Sequence, residues 1–316
     1  MLMGILLIGM LSACGASKDA DLSSATGSSS SETPTSDETS ETIDTDTSST
    51  PPVESAEWGW HESVFGFAGD GNKIIVPIRG DLDTRDYPDP TKIVLAYGNG
   101  GEILKVRYVN RQEESAENTY RDTSQNFDNL AGFIYEVTEG MAKPNANYLL
   151  ATASAYGSLF TILNSLELNP PLNDEGYKMN YEKAPAADIA RMELRRGRNA
   201  SSSGLIWKAD TGERLEVIQF EAVDEEMLYC LCFFAGDSVY IENNYTESGG
   251  WRVDDGGDAV NGELFKVNFV MACGDFGYYI CVDNWAPEGC YTVMYTTDGG
   301  RLDEDGTTPL ARYTSP

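Results

Sequence analysis

An all-β fold is the class this chain predicts, and three observations predict it. First, short runs rich in Val, Ile, Phe and Tyr recur along residues 57–316, each bounded by Gly, Asp, Asn or Pro. Second, apolar and polar residues alternate in Ile218-Gln219-Phe220-Glu221-Ala222, the pattern of a half-buried strand. Third, one turn chemistry returns at intervals. Gly69-Asp70, Gly236-Asp237 and Gly274-Asp275 each separate two apolar runs, as hairpin turns do, because Gly accepts positive φ and Asp bonds nearby amides.

In chain order, residues 1–13, MLMGILLIGMLSA, form an apolar stretch too short to span a bilayer as a mature helix. Residues 15–56 are about half Ser and Thr, hold three prolines and lack any aromatic residue. Such a composition cannot offset the entropy of ordering, so these residues read as a tether that reaches roughly 35–40 Å as a coil. Aromatics begin abruptly at Glu57-Trp58-Gly59-Trp60, where the folded domain is expected to start. Strands are predicted over Lys73–Ile78, Lys92–Tyr97, Glu102–Val109 and Gly132–Thr138. Others are predicted over Arg214–Ala222, Met227–Ala235, Leu264–Ala272 and Tyr291–Thr296. One short helix is expected around Ala184–Arg196.

A second Gly-rich turn follows each Gly-Asp hairpin: Asn99-Gly100-Gly101, Ser248-Gly249-Gly250 and Asp298-Gly299-Gly300. Weaker copies fall at Tyr156-Gly157 and at Asp210-Thr211-Gly212. The anchors 99, 156, 210, 248 and 298 lie 38 to 57 residues apart. A unit of that length supplying a few strands is the repeat of a propeller blade. The expected fold is therefore a β-propeller of about five to six blades, with a β-sandwich carrying ordinary Gly-Asp turns as the alternative.

The segment Tyr295-Thr296-Thr297-Asp298-Gly299-Gly300 resembles the Asp box, or BNR repeat, of sialidase-like propellers, whose pattern is Ser/Thr-x-Asp-x-Gly-x-Thr-Trp. Thr296, Asp298 and Gly300 match; Leu302 and Asp303 stand where Thr and Trp are expected. Asn99 and Ser248 replace the Asp in the other boxes, and Trp251 is the one nearby Trp. Gly69-Asp70-Gly71-Asn72-Lys73-Ile74 is similar to the related Ycf48-like repeats. The resemblance implies structural turns at Asn99, Gly101, Asp210, Gly212, Ser248, Gly250, Asp298 and Gly300, not catalysis. Leu11-Ser12-Ala13-Cys14 closes the apolar stretch and resembles the lipobox of bacterial lipoproteins, without a basic residue ahead of it. It implies a signal peptide over 1–13, a lipidated Cys14 opening the 14–56 tether, and a domain over 57–316 held at the outer face of a bacterial cell membrane.

The formal charge is −29, of which the tether carries −8 and the rest −21. An acidic domain repels phosphates, so nucleic acid is not an expected partner. The lone histidine, His61, removes His-rich metal sites and leaves a Ser-His-Asp triad that one residue to build on. Asp81, Asp83 and Asp86, and the run Asp254-Asp255-Gly256-Gly257-Asp258, read as solvated acidic loops more readily than as calcium ligands, so no metal or cofactor is expected. Cys230 and Cys232, two apart in an apolar run, are expected on one face of a strand, pointing away from each other as buried thiols. Cys281 and Cys290 flank a turn-rich loop and are candidates for a disulfide across a hairpin neck.

Sialidase chemistry would need an arginine triad, a Tyr–Glu pair and an acid Asp. Four of the thirteen arginines crowd into 191–198, which reads as a basic surface stretch, and Pro77-Ile78-Arg79 has the family's Arg-Ile-Pro order reversed. The expected function is a non-catalytic binding or scaffolding module of the cell envelope with a glycan or envelope protein as ligand. The alternative is a sialidase-like glycoside hydrolase or glycan-binding protein. Loops Arg79–Pro90 and Asp283–Gly289 are expected to line its surface.

Overall fold

Sixteen strands and one α-helix make up the computed structural model, which describes residues 62–79, 87–155, 160–169, 181–224, 226–247, 265–274, 277–286, 288–304, 307 and 309–314. All of these fall within one unit, Ser55–Pro316. Cys14, the tether, His61 and both acidic runs lie outside the described residues, as do Ser248 and Gly250.

The first six strands are β1 (Ser63–Ala68), β2 (Lys73–Pro77), β3 (Ile93–Gly98), β4 (Glu102–Gln112), β5 (Gly132–Glu139) and β6 (Asn147–Thr152). They close into an antiparallel barrel in the order β1-β2-β5-β4-β3-β6. Alternation decides which side chains fill it. Ile74 and Val76 of β2, Leu104 and Val106 of β4 and Tyr148 and Leu150 of β6 point inward. Their neighbours in sequence point out, where Ile75 and Ile134 meet Phe67, Phe127 and Leu130.

The second sheet comprises β7 (Thr161–Ile162), β8 (Ala200–Lys208), β9 (Arg214–Val223), β10 (Glu226–Ala235), β11 (Ser238–Glu247), β12 (Phe265–Ala272), β13 (Tyr278–Ala286), β14 (Gly289–Asp298), β15 (Arg301–Glu304) and β16 (Leu310–Tyr313). Its order is β7-β12-β13-β14-β15-β11-β10-β9-β8, with β16 paired to β14. The sheet curls so that Leu215, Val217, Leu231, Phe233, Val270, Ile280, Val293 and Tyr295 share one concave core. The fold is thus all-β. Separate four-stranded blades are not seen among the described residues: β11 joins β15 through a parallel bridge, Ile241 to Arg301, and the first six strands close on themselves. The described strands form a closed six-stranded barrel and a second, curled sheet.

Barrel and sheet meet along an apolar face. Phe65, Tyr97, Leu149 and Ala151 from β1, β3 and β6 pack on Phe269, Met271, Cys281, Met294 and Leu310. Tyr97 and Phe269 are tilted rings 6.1 Å apart. The β3–β4 turn adds a polar tie, since the Gly100 and Gly101 amides both donate to the Asn268 carbonyl, at 2.7 and 2.9 Å. Gly101 sits at φ +100°, and a Cβ there would meet Ile162 at 2.8 Å, so this turn demands glycine on two counts.

The helix α1 (Ala186–Arg196) lies on the outer face of β9 and β10, burying Met192 against Ile218, Phe220, Cys230, Cys232 and Phe234. It ends at Gly197, which adopts φ 65° and donates its amide to the Glu193 carbonyl. The 191–198 arginines are not simply a basic surface: Arg191 reaches the Asp237 carbonyl, Arg198 pairs with Glu226 at 2.8 Å, and the Arg196 Nε is buried.

Candidate functional site: an aromatic cleft at the seam of the sheet

The curled sheet stops just short of closing. β8 and β12, near its two ends, approach each other without forming a ladder, and a short segment bridges the gap. Leu163 donates its amide to the Val270 carbonyl of β12, while Leu166 donates to the Lys208 carbonyl of β8. Ser165 forms an isolated bridge with Ala209. The β8–β9 turn clamps this segment: the Asp210 amide donates to the Asn164 carbonyl, and Asn164 Nδ2 donates to Asp210 Oδ2 at 3.1 Å. Glu182 braces the same region. It accepts from the Asn169 amide and from Lys208 Nζ at 3.1 Å, and these bonds hold its carboxyl below the ordinary range.

Beneath the bridge lies a cleft of about 470 Å³, within the usual size range for small-ligand sites. Trp207, Phe265 and Trp285 supply aromatic walls, and Ser165 and Lys266 supply the polar groups. Trp207 stacks on Phe233 and Phe265 leans on Tyr229, so two of the walls are fixed from behind. Burial raises the Tyr229 phenol well above its usual value, which keeps it neutral. The described lining contains one cation, Lys266, and no carboxylate. It offers flat apolar faces and a positive charge, without the acid–base pair that glycoside hydrolysis uses. The described arginines do not gather into a triad either. Arg107 is paired with Glu136, Arg214 with Asp188 and Arg301 with Asp303, while Arg79 and Arg312 both serve Asp122.

The turns singled out in the sequence are distributed, not convergent. Asn99–Gly101 joins β3 to β4, Asp210–Gly212 joins β8 to β9, and Asp298–Gly300 joins β14 to β15. Two of them tie other segments in place, at Asn268 and at Asn164. Gly69-Asp70 and Gly236-Asp237 also fall at hairpins, between β1 and β2 and between β10 and β11, and Gly274 falls between β12 and β13, with Asp275 outside the described residues.

Several residues stand differently from expectation. Cys281 and Cys290 are both thiols. Their strands do pair, but Cys281 faces Met294 while Cys290 faces Trp285, an offset of four rungs or roughly 13 Å, too far for a disulfide. Cys230 and Cys232 share a face and are buried thiols, as expected, and the Cys230 thiol donates to Asn243 Oδ1 at 3.2 Å. Residues 283–286 belong to β13, and Asp283 is buried, not part of a surface loop.

Asp283 anchors a polar cluster inside the barrel–sheet interface. It is 1% exposed, and its Oδ1 accepts from Asn147 Nδ2 at 3.0 Å, Asn268 Nδ2 at 2.6 Å and Thr292 Oγ1 at 2.7 Å. Arg312 completes it from the far side, donating to Asn147 Oδ1 at 2.5 Å and to the Asn145 and Asp122 carbonyls. Its guanidinium lies 4.1 Å from the Phe67 ring. Burial and the nearby Asp283 push the Cys290 thiol up to about 12. A buried charge pair relayed through one amide holds two β layers in register and offers no surface to a substrate. A comparison with protein-family models, curated proteins and solved structures finds no match.

Proposed function

We propose that this chain is a bacterial lipoprotein, anchored through Cys14 at the extracytoplasmic face of the cell membrane, whose β domain is a non-catalytic binding module. The observation that carries the binding reading is the cleft at the sheet seam, with Trp207, Phe265 and Trp285 around Lys266. Aromatic faces stack on the apolar side of a sugar ring, and a lone lysine selects for an anionic substituent. The ligand class is therefore an acidic envelope glycan, bearing a carboxylate or phosphate. The acidic domain sharpens this choice, because −21 of surrounding charge repels polyanions and leaves Lys266 to single acidic groups. The anchoring reading is supported by the Leu-Ser-Ala-Cys segment and the 42-residue Ser/Thr-rich tether. The propeller reading rests on turn spacing alone, and the binding proposal does not depend on it.

Tryptophan fluorescence tests the binding reading directly. Titration with carboxylate-bearing cell-wall glycan fragments should give a saturable change, with a neutral glucan oligomer as the contrast. Trp285→Ala should abolish the response, and Lys266→Ala should weaken binding about tenfold and remove its salt dependence. Equal binding of the neutral oligomer, or full binding by Trp285→Ala, overturns it. Anchoring has its own test: Cys14→Ala should leave the membrane fraction or remain unprocessed, and unchanged fractionation and gel mobility refute the lipoprotein.

A further inference from the structure

Away from the cleft, α1 covers a charged cluster on the outer face of the curled sheet. Arg214 and Glu216 of β9 share that face with Ile218 and Phe220, because side chains alternate along the strand. Asp188 of α1 meets them there, and one guanidinium serves both carboxylates. Arg214 Nε donates to Asp188 Oδ2 at 3.2 Å and to Glu216 Oε1 at 3.3 Å, and its Nη2 donates to Asp188 Oδ2 at 2.7 Å. Glu216 is 0% exposed, and its Oε2 has no hydrogen-bond partner. With both acids ionised, the cluster would hold a net negative charge out of water. A proton on Glu216 removes that excess and leaves Asp188 and Arg214 as a balanced pair.

The other groups around Glu216 do not balance it. Cys232 of β10 pairs with it in register, and burial raises that thiol, which keeps it neutral. Leu205 is its partner on β8. On α1, Arg191 turns to the Asp237 carbonyl, Glu193 accepts from the Ala200 amide, and Arg196 lies two turns beyond Asp188. The helix itself is lightly held. Met192 is its one fully buried apolar side chain, and its remaining ties to the sheet are polar. An element docked by so little apolar area is the kind that opens locally, ahead of the domain.

We propose that α1 is a proton-dependent latch, docked while Glu216 carries a proton and lifted from β9 and β10 when that proton leaves. Lifting lets the glutamate reach water as an anion and relieves Asp188 of its repulsion. It also uncovers an apolar face, Ile218, Phe220, Leu228 and Phe234, together with the thiols of Cys230 and Cys232. Burial first, then Asp188, holds the docked Glu216 carboxyl up at about 9, whereas in the lifted form it titrates near the ordinary 4.5. Below 4.5 both forms hold the proton, and pH has no effect. Between 4.5 and 9 only the docked form holds it, so the lifted fraction grows about tenfold per pH unit. Above 9 the growth stops. Alkaline conditions thus release the latch.

Native-state labelling of the full-length chain with N-ethylmaleimide, in a Cys14→Ala background, tests this at pH 6, 7 and 8. Peptide mapping gives the rate at each cysteine. Thiol reactivity itself changes with pH, so each rate is divided by that of Glu216→Gln at the same pH, a variant with no proton to lose. The ratio at Cys230 and Cys232 should rise roughly 100-fold from pH 6 to 8. At pH 8 these two should also react at least ~10-fold faster than Cys273, Cys281 and Cys290, which lie away from α1. Asp188→Asn leaves Arg214 to Glu216 alone, so the rise should end at a lower pH, a change that a merely structural role for Asp188 does not produce. A ratio that stays flat from pH 6 to 8 overturns the proposal, as does labelling of all five cysteines in step, which marks opening of the whole domain.

Discussion

Replacing Glu216 with Gln should make the protein more stable at neutral and alkaline pH, and the gain should grow with pH. Glu216 is 0% exposed beneath α1. Burial first, then the charge and hydrogen bond of Asp188, raise its carboxyl from 4.5 to about 9, against the opposing pull of Arg214. Below pH 4.5 both folded and unfolded chains hold the proton. Between 4.5 and 9 the unfolded chain releases it and the folded chain keeps it, so stability falls by about 1.4 kcal/mol per pH unit. Above 9 the loss is complete. At pH 7 the accumulated cost is on the order of 3 kcal/mol. Gln has nearly the same volume and carries no proton to lose, so Glu216→Gln removes the slope. Urea unfolding of both proteins at pH 5, 7 and 8.5 reads this as a difference, in which all other titrating groups cancel. The variant's advantage should increase by roughly 3 kcal/mol from pH 5 to 7 and by about 2 more to pH 8.5. An advantage that does not change with pH would show that Glu216 is ionised in the folded protein, and the argument would fail.

Further outcomes follow from the same geometry. Asp283→Ala leaves the donors of Asn147, Asn268 and Thr292 without their shared acceptor and takes from Arg312 one of the buried carboxylates near it, so it should cost about 3–5 kcal/mol in denaturant unfolding. Asp283→Asn, which keeps the shape and one acceptor, should cost less. Alkylation of the native, non-reduced protein followed by peptide mapping should find Cys281 and Cys290 as thiols with no bond between them, their slow labelling set by burial.

What the sequence disclosed was local. All eight strands read from Val/Ile/Phe/Tyr runs form, from Lys73–Pro77 to Gly289–Asp298, because alternation and turn residues act within a few positions. The helix at Ala186–Arg196 and the hairpins at Gly69-Asp70 and Gly236-Asp237 were visible for the same reason. Sheet closure was not. Pairing β2 with β5 and β3 with β6 depends on registers chosen across intervening strands, and no periodicity encodes them. A regular spacing of Gly-rich turns therefore suggested blades, whereas the same hairpins assemble into a barrel and a curled sheet. Asp283 shows the limit most clearly. In Val282-Asp283-Asn284 it reads as turn chemistry, and only Asn147, 136 residues away, makes it a buried anchor. The cleft was equally hidden, since Trp207 and Trp285 come from β8 and β13, which line one cleft only because the sheet curls.

The strand β16 follows every other described strand in chain order, yet it holds both layers. Gly289 lets it lie close, since a Cβ there would fall 1.9 Å from the Arg312 carbonyl oxygen. The Asp122 amide donates to the Tyr313 carbonyl, the Tyr313 amide donates to Asp122 Oδ2, and Arg312 reaches the Asp122 carbonyl across 190 residues of chain. A nascent chain must therefore finish its barrel, and then most of its sheet, before the Leu310 and Arg312 contacts between the two can form. The apolar face between them gains Leu310 last, after Phe269, Met271, Cys281 and Met294. That interval is a window of vulnerability to proteases and to partners with their own exposed edges, and residues 310–313 narrow it last.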